Sequence, residues 1–542
     1  MSAQDGVPGV RAGGPSRTTR LDAQVIIVGA GPVGLMLAGE LSLRGVRVVV
    51  VEQRHGPTTE SRASTLHART MEIFDSRGLL PDVGGPPNAT RGHFGGIPLD
   101  LTLPGAYPGQ WKVPQAKTES VLEEWALSLG ADIHCGTRLR VLGVTQEGDS
   151  VEAEAVGRDG EVVRLRAAYL VACDGQDSTV RRLTSAPFPG HGAARELLRA
   201  DVAGIDVPDR RFERLPRGLA IAARREDGVT RVMVHEFGAP VRASGKPDFA
   251  GFCATWRRVT GEDISGGTPL WVNSFHDANR QLASYRQGRI LYAGDAAHQQ
   301  LPIGGQALNL GVQDAFNLGW KLAATVRGRA PEGLLDSYHT ERHAVGRAVL
   351  GNIRAQALLL LGGHDNDPLR TVLTELIGHE AVRTTLAGAV SGLGIRYDVG
   401  GPPHPLLGAR LPHARLLVAG APRTTAELLR SGRGLLLGLG GAPPAGADGW
   451  ADRVDVVTAE PEPPRADGAA GPLDGTGALL VRPDGYVAWA GDRRGDGLAE
   501  ALRRWFGTPG EPHGRATAAT AAGAARRTER THTPAPVHHG PA

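Results

Sequence analysis

The sequence predicts an α/β protein built on a Rossmann-like dinucleotide-binding domain that the chain leaves and later re-enters. Three observations predict it. An apolar run, Gln24 to Val28, meets the loop Gly29-Ala30-Gly31-Pro32-Val33-Gly34 and then a helical stretch. A second glycine motif, Gly294-Asp295-Ala296-Ala297-His298, stands more than 250 residues further on. Strand-like runs separated by Gly, Pro and Asp fill part of the interval, as expected of an inserted mixed-sheet domain.

The first unit is a βαβ. After the glycine loop, Leu35, Leu37, Ala38 and Leu41 continue a helical stretch to Gly45, and Val46 to Val51 is a nearly continuous β-branched run. Strands apolar on both faces belong to a parallel sheet covered by helices. Thr118 to Gly130 reads as a helix, with Ser120 and Glu123 at capping-box spacing. From Arg138 to Ala172 the pattern becomes a β-meander with turns at Glu147-Gly148-Asp149 and Asp159-Gly160. Leu219 to Ala223 and Thr230 to Phe237 are strands of the insertion. Arg289 to Ala293 is a returning strand, and a helix is expected from about Asn309 to Val326. The Pro- and Gly-rich stretch near Gly400 marks a boundary. Beyond it, strand runs, a turn at Pro483-Asp484-Gly485 and a helix containing Leu502 and Trp505 resemble a thioredoxin-like module without its cysteines. The expected division is therefore 1–20 disordered tail, 21–185 and 286–398 the two parts of the nucleotide domain, 186–285 the substrate domain, 399–509 the thioredoxin-like domain, and 510–542 a disordered tail.

Composition narrows the partners. The 542 residues include 60 basic and 57 acidic side chains, a net charge of +3, with no basic block interleaved with aromatics, so nucleic acid is not an expected ligand. Cys135, Cys173 and Cys253 are scattered singly, without metal or disulfide spacing. Neither a signal-peptide pattern nor an 18-residue apolar run occurs, so a cytoplasmic protein that does not span a membrane is expected.

The motifs specify a cofactor. Gly29 permits a tight strand-to-helix turn, Gly31 lets the backbone approach a pyrophosphate, and Gly34 lets helix and strand pack closely. The helix N-terminus attracts phosphate. Glu52, 18 positions after Gly34, suits both adenosine ribose hydroxyls and would repel a 2′-phosphate, which favours FAD or NAD over NADP at this site. In the second motif, Asp295 suits ribityl hydroxyls, and Gly304 and Gly305 allow backbone close to a flat ring. The helix beginning near Leu308 and Asn309 would turn its N-terminus toward the pyrimidine edge of that ring, where its partial positive charge stabilises reduced flavin. The two motifs together point to FAD. No metal is expected, and the role of His298 is left open.

Some positions admit two readings from the residues alone. Arg62 suits either the pyrophosphate or solvent; Gln115 is either a cofactor contact or an exposed loop residue; Asp174, in Asp174-Gly175-Gln176-Asp177-Ser178-Thr179-Val180-Arg181, either faces a ligand crevice or forms a plain turn. His235, Phe237 and Phe275, with Met233 and Trp271, either line a wide apolar pocket or form an ordinary sheet face.

These motifs resemble the single-component FAD-dependent aromatic hydroxylases, the class of para-hydroxybenzoate hydroxylase, over about Val25 to Gly351. Ala293 through Asn309, the segment Ser337-Tyr338-His339-Thr340-Glu341-Arg342 and the cysteine-free tail domain are most similar to the polyketide hydroxylases of bacterial antibiotic pathways, such as the tetracenomycin and angucycline enzymes. The resemblance implies that NADPH or NADH reduces FAD, that O2 forms a flavin C4a-hydroperoxide, and that oxygen passes to a phenol- or quinone-type polycyclic substrate. No protein nucleophile is then needed. It also implies cofactor contacts at Arg62, Gln115, Asp174 and Asp295, places Pro302 beside the reacting face of the ring, and allows a homodimer. Gln176-Asp177 replaces a basic residue common in the family, so the choice of nicotinamide donor stays open. A halogenase of the same fold would carry Trp-x-Trp-x-Ile-Pro, which is absent. The fold also admits an antibiotic-inactivating monooxygenase or a non-catalytic FAD-binding scaffold.

Overall fold

A computed structural model describes residues 18–56, 64–144, 150–242, 245, 247–462 and 471–510. Arg62, the turn Glu147-Gly148-Asp149 and most of both expected tails lie outside the described residues. Residues Thr18–Asp22 form a strand parallel to Val162–Ala167, so Thr18, Thr19 and Arg20 of the expected N-terminal tail belong to a sheet. The meander offers an open edge there, and pairing satisfies it.

The nucleotide-domain sheet runs Ile290–Tyr292, Tyr169–Ala172, Val25–Val28, Val48–Glu52, Asp132–Cys135, all parallel, with the short strand Arg286–Gln287 added antiparallel at one edge. Val25–Val28 and Val48–Glu52 are buried throughout, as β-branched runs apolar on both faces require. Helix Pro32–Leu43 is apolar nearly all round and is packed between helices Gln306–Val326 and Gln115–Ser128.

Two helix starts differ from the sequence expectation. The helix expected from Thr118 begins at Gln115 after Pro114, with no side-chain cap. Ser120 bonds Glu124 within the helix instead of capping it, because Thr118 and Glu119 are already on its buried face. The helix expected from Asn309 begins at Gln306, since Gly304 and Gly305, at φ +62° and +70°, turn the chain abruptly into it.

The insertion is a five-stranded antiparallel sheet ordered Arg210–Leu215, Gly218–Arg224, Val229–Glu236, Glu196–Ala203, Thr268–His276. Its alternation separates two faces. Leu198, Ala200, Ala220, Val232 and Val234 pack on helix Phe249–Thr260. Leu197, Leu219, Ile221, Met233 and Phe275 face the other way, toward Leu301 and Ile303 and toward Ile353, Ala357 and Leu360 of helix Asp336–Leu361. That last helix is long and apolar enough by composition to cross a membrane. Here it is a packing helix, with Tyr338, Glu341, Arg342, Ile353 and Gln356 all buried.

The C-terminal sheet is ordered Ala421–Thr424, Arg415–Val418, Val454–Pro461, Gly434–Leu439, Ala478–Val481, Val487–Gly491. Its one parallel pair, Gly434–Leu439 with Val454–Pro461, is joined through the 3-10 turn Asp448–Trp450 where a βαβ unit has a helix. The Pro483-Asp484-Gly485 turn docks this domain. Arg482, fully buried, forks onto Glu341 at 2.6 and 2.9 Å and bonds Asp484, while Lys321 reaches Glu341 at 2.8 Å. Arg69 bonds the Asp484 carbonyl at 2.9 Å and Arg77 that of Pro483 at 3.0 Å. Burial opposes ionisation of Glu341, but the Arg482 and Lys321 charges and hydrogen bonds overrule it and hold its carboxyl below the usual range.

Candidate active site

Three glycines shape the loop between Val25–Val28 and Pro32–Leu43. A Cβ on Gly34 would stand 1.9 Å from the Gly29 carbonyl oxygen, so helix and loop meet without room for a side chain. Gly29, at φ +104°, is similarly tight against the Cys173 carbonyl, which its Cβ would approach to 2.4 Å. Above Gly31 nothing lies within 4 Å of where a Cβ would be. Gly31 caps the helix without a side-chain bond, and Pro32 follows, so the first-turn amides face this open space. That is the geometry of a phosphate site.

Glu52 ends its strand with both oxygens anchored, one accepting from the Ala30 amide and the other from the Arg54 amide, each at 2.8 Å. The Arg54 guanidinium also lies against both oxygens, at 3.2 and 3.5 Å, so the carboxylate is fixed at the mouth of the loop. Gln115 opens its helix and donates to Glu119 at 2.9 Å. Asp174 uses one oxygen to accept from the Thr179 and Val180 amides, at 2.7 and 3.1 Å, while Oδ1 is buried without a partner among the described residues. Burial pushes its carboxyl above the ordinary aspartate range despite bonds from Ser178 and these amides. Arg181 closes the corner by donating to the Ala296 carbonyl at 3.0 Å.

Gly294, Asp295 and Ala296 form a 3-10 turn with Asp295 exposed. Its anchor is Asp314, a residue the sequence reading did not single out. Asp314 is fully buried and accepts from the Gly294 amide at 3.1 Å, His298 Nε2 at 2.8 Å and Arg342 Nε at 2.7 Å. Burial raises its carboxyl, but Arg342 and His298 outweigh that and lower it. Arg342 in turn bonds the Tyr397 hydroxyl and the Leu310 carbonyl. His298 therefore helps to position the motif through Asp314.

In the loop that follows, Leu301 and Ile303 are buried and Pro302 is exposed. Leu308 is half-buried in the first turn of the helix. The Asn309 side chain is fully committed: its oxygen accepts from the His67 amide at 2.8 Å and Thr70 Oγ1 at 2.6 Å, and its nitrogen donates to the Thr65 and Gly305 carbonyls at 3.0 and 2.7 Å. It clamps strand Thr65–His67 to the helix start, so its side chain is not free for a ligand. His67, also missed from sequence, donates from Nε2 to the Gly304 carbonyl at 2.8 Å. Burial holds its imidazole down to about 4, opposed by that bond and aided by Lys112. The signals for both were weak: a lone histidine five positions after Arg62, and an aspartate on the buried face of an apolar helix.

The insertion places its candidate residues unequally. Phe275 belongs to the face opposite Leu301 and Ile303, beneath the Arg199 guanidinium at 5.7 Å. His235 is on the same strand face as Met233, but both its ring nitrogens lie against backbone carbonyls, Glu196 at 2.7 Å and Leu361 at 2.9 Å. It ties the sheet to the end of helix Asp336–Leu361. Phe237 lies beyond the strand end, against His364 and under Arg214.

An open cradle over Gly31, an uncapped helix, an anchored carboxylate at Glu52 and an unpartnered buried oxygen on Asp174 together fit FAD. A family model described as FAD binding domain matches residues 22–352, and one described as aromatic-ring hydroxylase, C-terminal, matches 404–509. The chain is 41% identical over 505 residues to rifampicin monooxygenase of Streptomyces venezuelae, covering 89% of this chain and 98% of that protein. It is 40% identical over 520 residues to 12-dehydrotetracycline 5-monooxygenase/anhydrotetracycline 6-monooxygenase of Streptomyces rimosus, covering 90% and 99%. The crystal structure of CabE, an aromatic hydroxylase from angucycline biosynthesis, is similar with a TM-score of 0.85 at 52% identity, over 90% of this chain and 100% of that one. With two family models and full-length relatives in agreement, the chain belongs to the FAD-dependent aromatic-ring hydroxylases.

Proposed function

We propose that this FAD-dependent aromatic monooxygenase hydroxylates a polycyclic aromatic polyketide of the phenol or quinone type in antibiotic biosynthesis. The observation that carries the proposal is the apolar sheet face of Leu197, Leu219, Ile221, Met233 and Phe275, which stands opposite Leu301 and Ile303 of the glycine-motif loop. A flat apolar substrate between them has one face on the sheet and one edge at the loop, shielded from water. The names of the relatives support a substrate of this kind.

Bound FAD would supply the redox chemistry, in which two electrons from NADPH or NADH and one O2 leave one oxygen atom on the ring and the other as water. The protein's part is placement. In this reading Gly29, Gly31 and Gly34 with the first turn of Pro32–Leu43 hold the pyrophosphate, aided by Arg62, and Glu52 holds the ribose. Gln115 and Asp174 contact the cofactor nearby, and Asp295 holds the ribityl chain. Gly304, Gly305 and the backbone at Leu308 and Asn309 border the ring, with Pro302 on its reacting face. His67 fixes the Gly304 carbonyl, and Asp314 fixes the Gly294 turn. Cytoplasmic residence belongs to the same reading, in keeping with three free cysteines.

The test is direct. Purified protein is loaded with FAD, and NADPH and NADH oxidation is followed with a panel of polycyclic phenols under 18O2. The expected result is substrate-accelerated flavin reduction and a product heavier by one labelled oxygen. If no phenol accelerates reduction and no product carries the label, the hydroxylase reading is rejected.

A further inference from the structure

Three side chains around Gly304 each bury a hydrogen-bonding atom that has no partner among the described residues: His67 Nδ1, Gln306 Nε2 and Gln356 Nε2. They come from three separate elements, the strand Thr65–His67 and the helices Gln306–Val326 and Asp336–Leu361. All three meet at one residue. His67 Nε2 is 2.8 Å from the Gly304 carbonyl, and a Cβ on Gly304 would stand 3.6 Å from Gln306 Nε2 and 3.9 Å from Gln356 Oε1. The three side chains are 0%, 4% and 0% exposed. Buried polar atoms are ordinarily paired, so three unpaired ones on side chains that meet at a single residue point to an occupant.

The hydrogen-bonding sense of each group follows from its neighbours. A carbonyl only accepts, so His67 Nε2 carries the hydrogen and Nδ1 presents a lone pair. Gln356 Oε1 accepts from the Gly95 amide at 3.4 Å, which leaves its amide nitrogen as the free donor. Gln306 adds a second donor. Around them the lining is apolar, with Leu301, Ile303, Ile353 and Ala357 in one cluster.

We infer that His67, Gln306 and Gln356 form a polar subsite for a hydroxyl and a carbonyl oxygen on the rim of the substrate, the hydroxyl being one that is not peri to a carbonyl and so keeps its hydrogen free. The hydroxyl donates to His67 Nδ1, and the carbonyl accepts from the two amides. This rests on the polycyclic-substrate reading above and extends it to orientation: the oxygenated rim is pinned at Gly304 while the hydrocarbon remainder lies along the sheet face.

The experiment titrates FAD-loaded enzyme with 2-hydroxyanthraquinone and with 2-methoxyanthraquinone, read by flavin absorbance, alongside a separate FAD titration of the apoprotein. Wild type is expected to bind the hydroxy compound about tenfold more tightly, the size of one buried hydrogen bond. His67→Gln retains an amide that can reach the Gly304 carbonyl but lacks the second nitrogen. In FAD-saturated enzyme it is expected to lose that preference. Gln356→Met should weaken both anthraquinones alike, since both carry the carbonyl. The subsite is overturned if the preference survives His67→Gln, if Gln356→Met changes neither affinity, or if wild type shows no preference, which would make ordered water the occupant. A fall in FAD affinity in Gln356→Met overturns it in favour of the flavin itself. Failure of wild type to bind either compound rejects the polycyclic-substrate reading, and the subsite with it.

Discussion

Asp314→Asn is expected to cost about 3–5 kcal/mol of stability, the range for removing one partner of a buried ion pair. Asp314 is fully buried, and so is the Arg342 it pairs with at 2.7 Å. The amide is nearly isosteric and can still accept a hydrogen bond, so the loss is of charge rather than volume. Arg342 keeps the Tyr397 hydroxyl and the Leu310 carbonyl, which are neutral and cannot balance a desolvated guanidinium. A loss of this size is a large part of a typical total stability of about 5–15 kcal/mol. Weakening the charged acceptor of the Gly294 amide should also loosen the Asp295 turn and raise the FAD Kd by about tenfold, the lower end for a hydrogen bond to an ionised group. Urea unfolding of the apoprotein measures the first effect, and FAD titration by fluorescence quenching the second. Arg342→Met in the same chain should recover part of the stability, because it removes the unpaired charge. Unfolding of Asp314→Asn within about 1 kcal/mol of wild type would refute this account of the pair. So would a double variant that loses the full single-variant amount again when Arg342→Met is added.

Two further outcomes follow from the same geometry. Gly31→Ala should fold with wild-type stability, since φ is −80° and nothing lies within 4 Å, yet bind FAD more than about tenfold less tightly because the methyl enters the phosphate space. Gly34→Ala should lose about 1–3 kcal/mol of stability before any cofactor is added, its Cβ being driven against the Gly29 carbonyl; equal stability and equal FAD affinity of the two variants would contradict this division. For pH, burial lowers the His67 imidazole to about 4 in the fold, against an ordinary 6.5, so the folded state favours the neutral ring. Its contribution is fully present above pH 6.5 and is lost as pH falls from 6.5 through 4, amounting to about 3 kcal/mol at the acid end. His67→Gln should flatten that limb of the stability–pH curve, measured by urea midpoints between pH 4 and 7.

Local chemistry made much of the frame legible. The glycine loop and the β-branched strands are each written within a few residues, because turn sterics and apolar runs act over short distances. The helix starts were less so: Pro114 and Gly305, rather than the polar residues at capping spacing, set where helices begin. The C-terminal turn Pro483-Asp484-Gly485 was visible as a turn, while its function as the contact for Arg69, Arg77 and Asn317 was not.

The sequence by itself determined a split FAD domain with an inserted sheet, since each motif is a continuous stretch whose backbone needs are written in its own residues. Only the tertiary structure decided what holds the second glycine motif in place. His67 meets an asparagine 242 positions away, Gly294 is fixed by an aspartate on the next helix, and Arg482 crosses a domain boundary to Glu341. Such pairings between distant polar residues leave no period or spacing in the chain. They exist because packing buries these groups together, and burial makes each one depend on its partner.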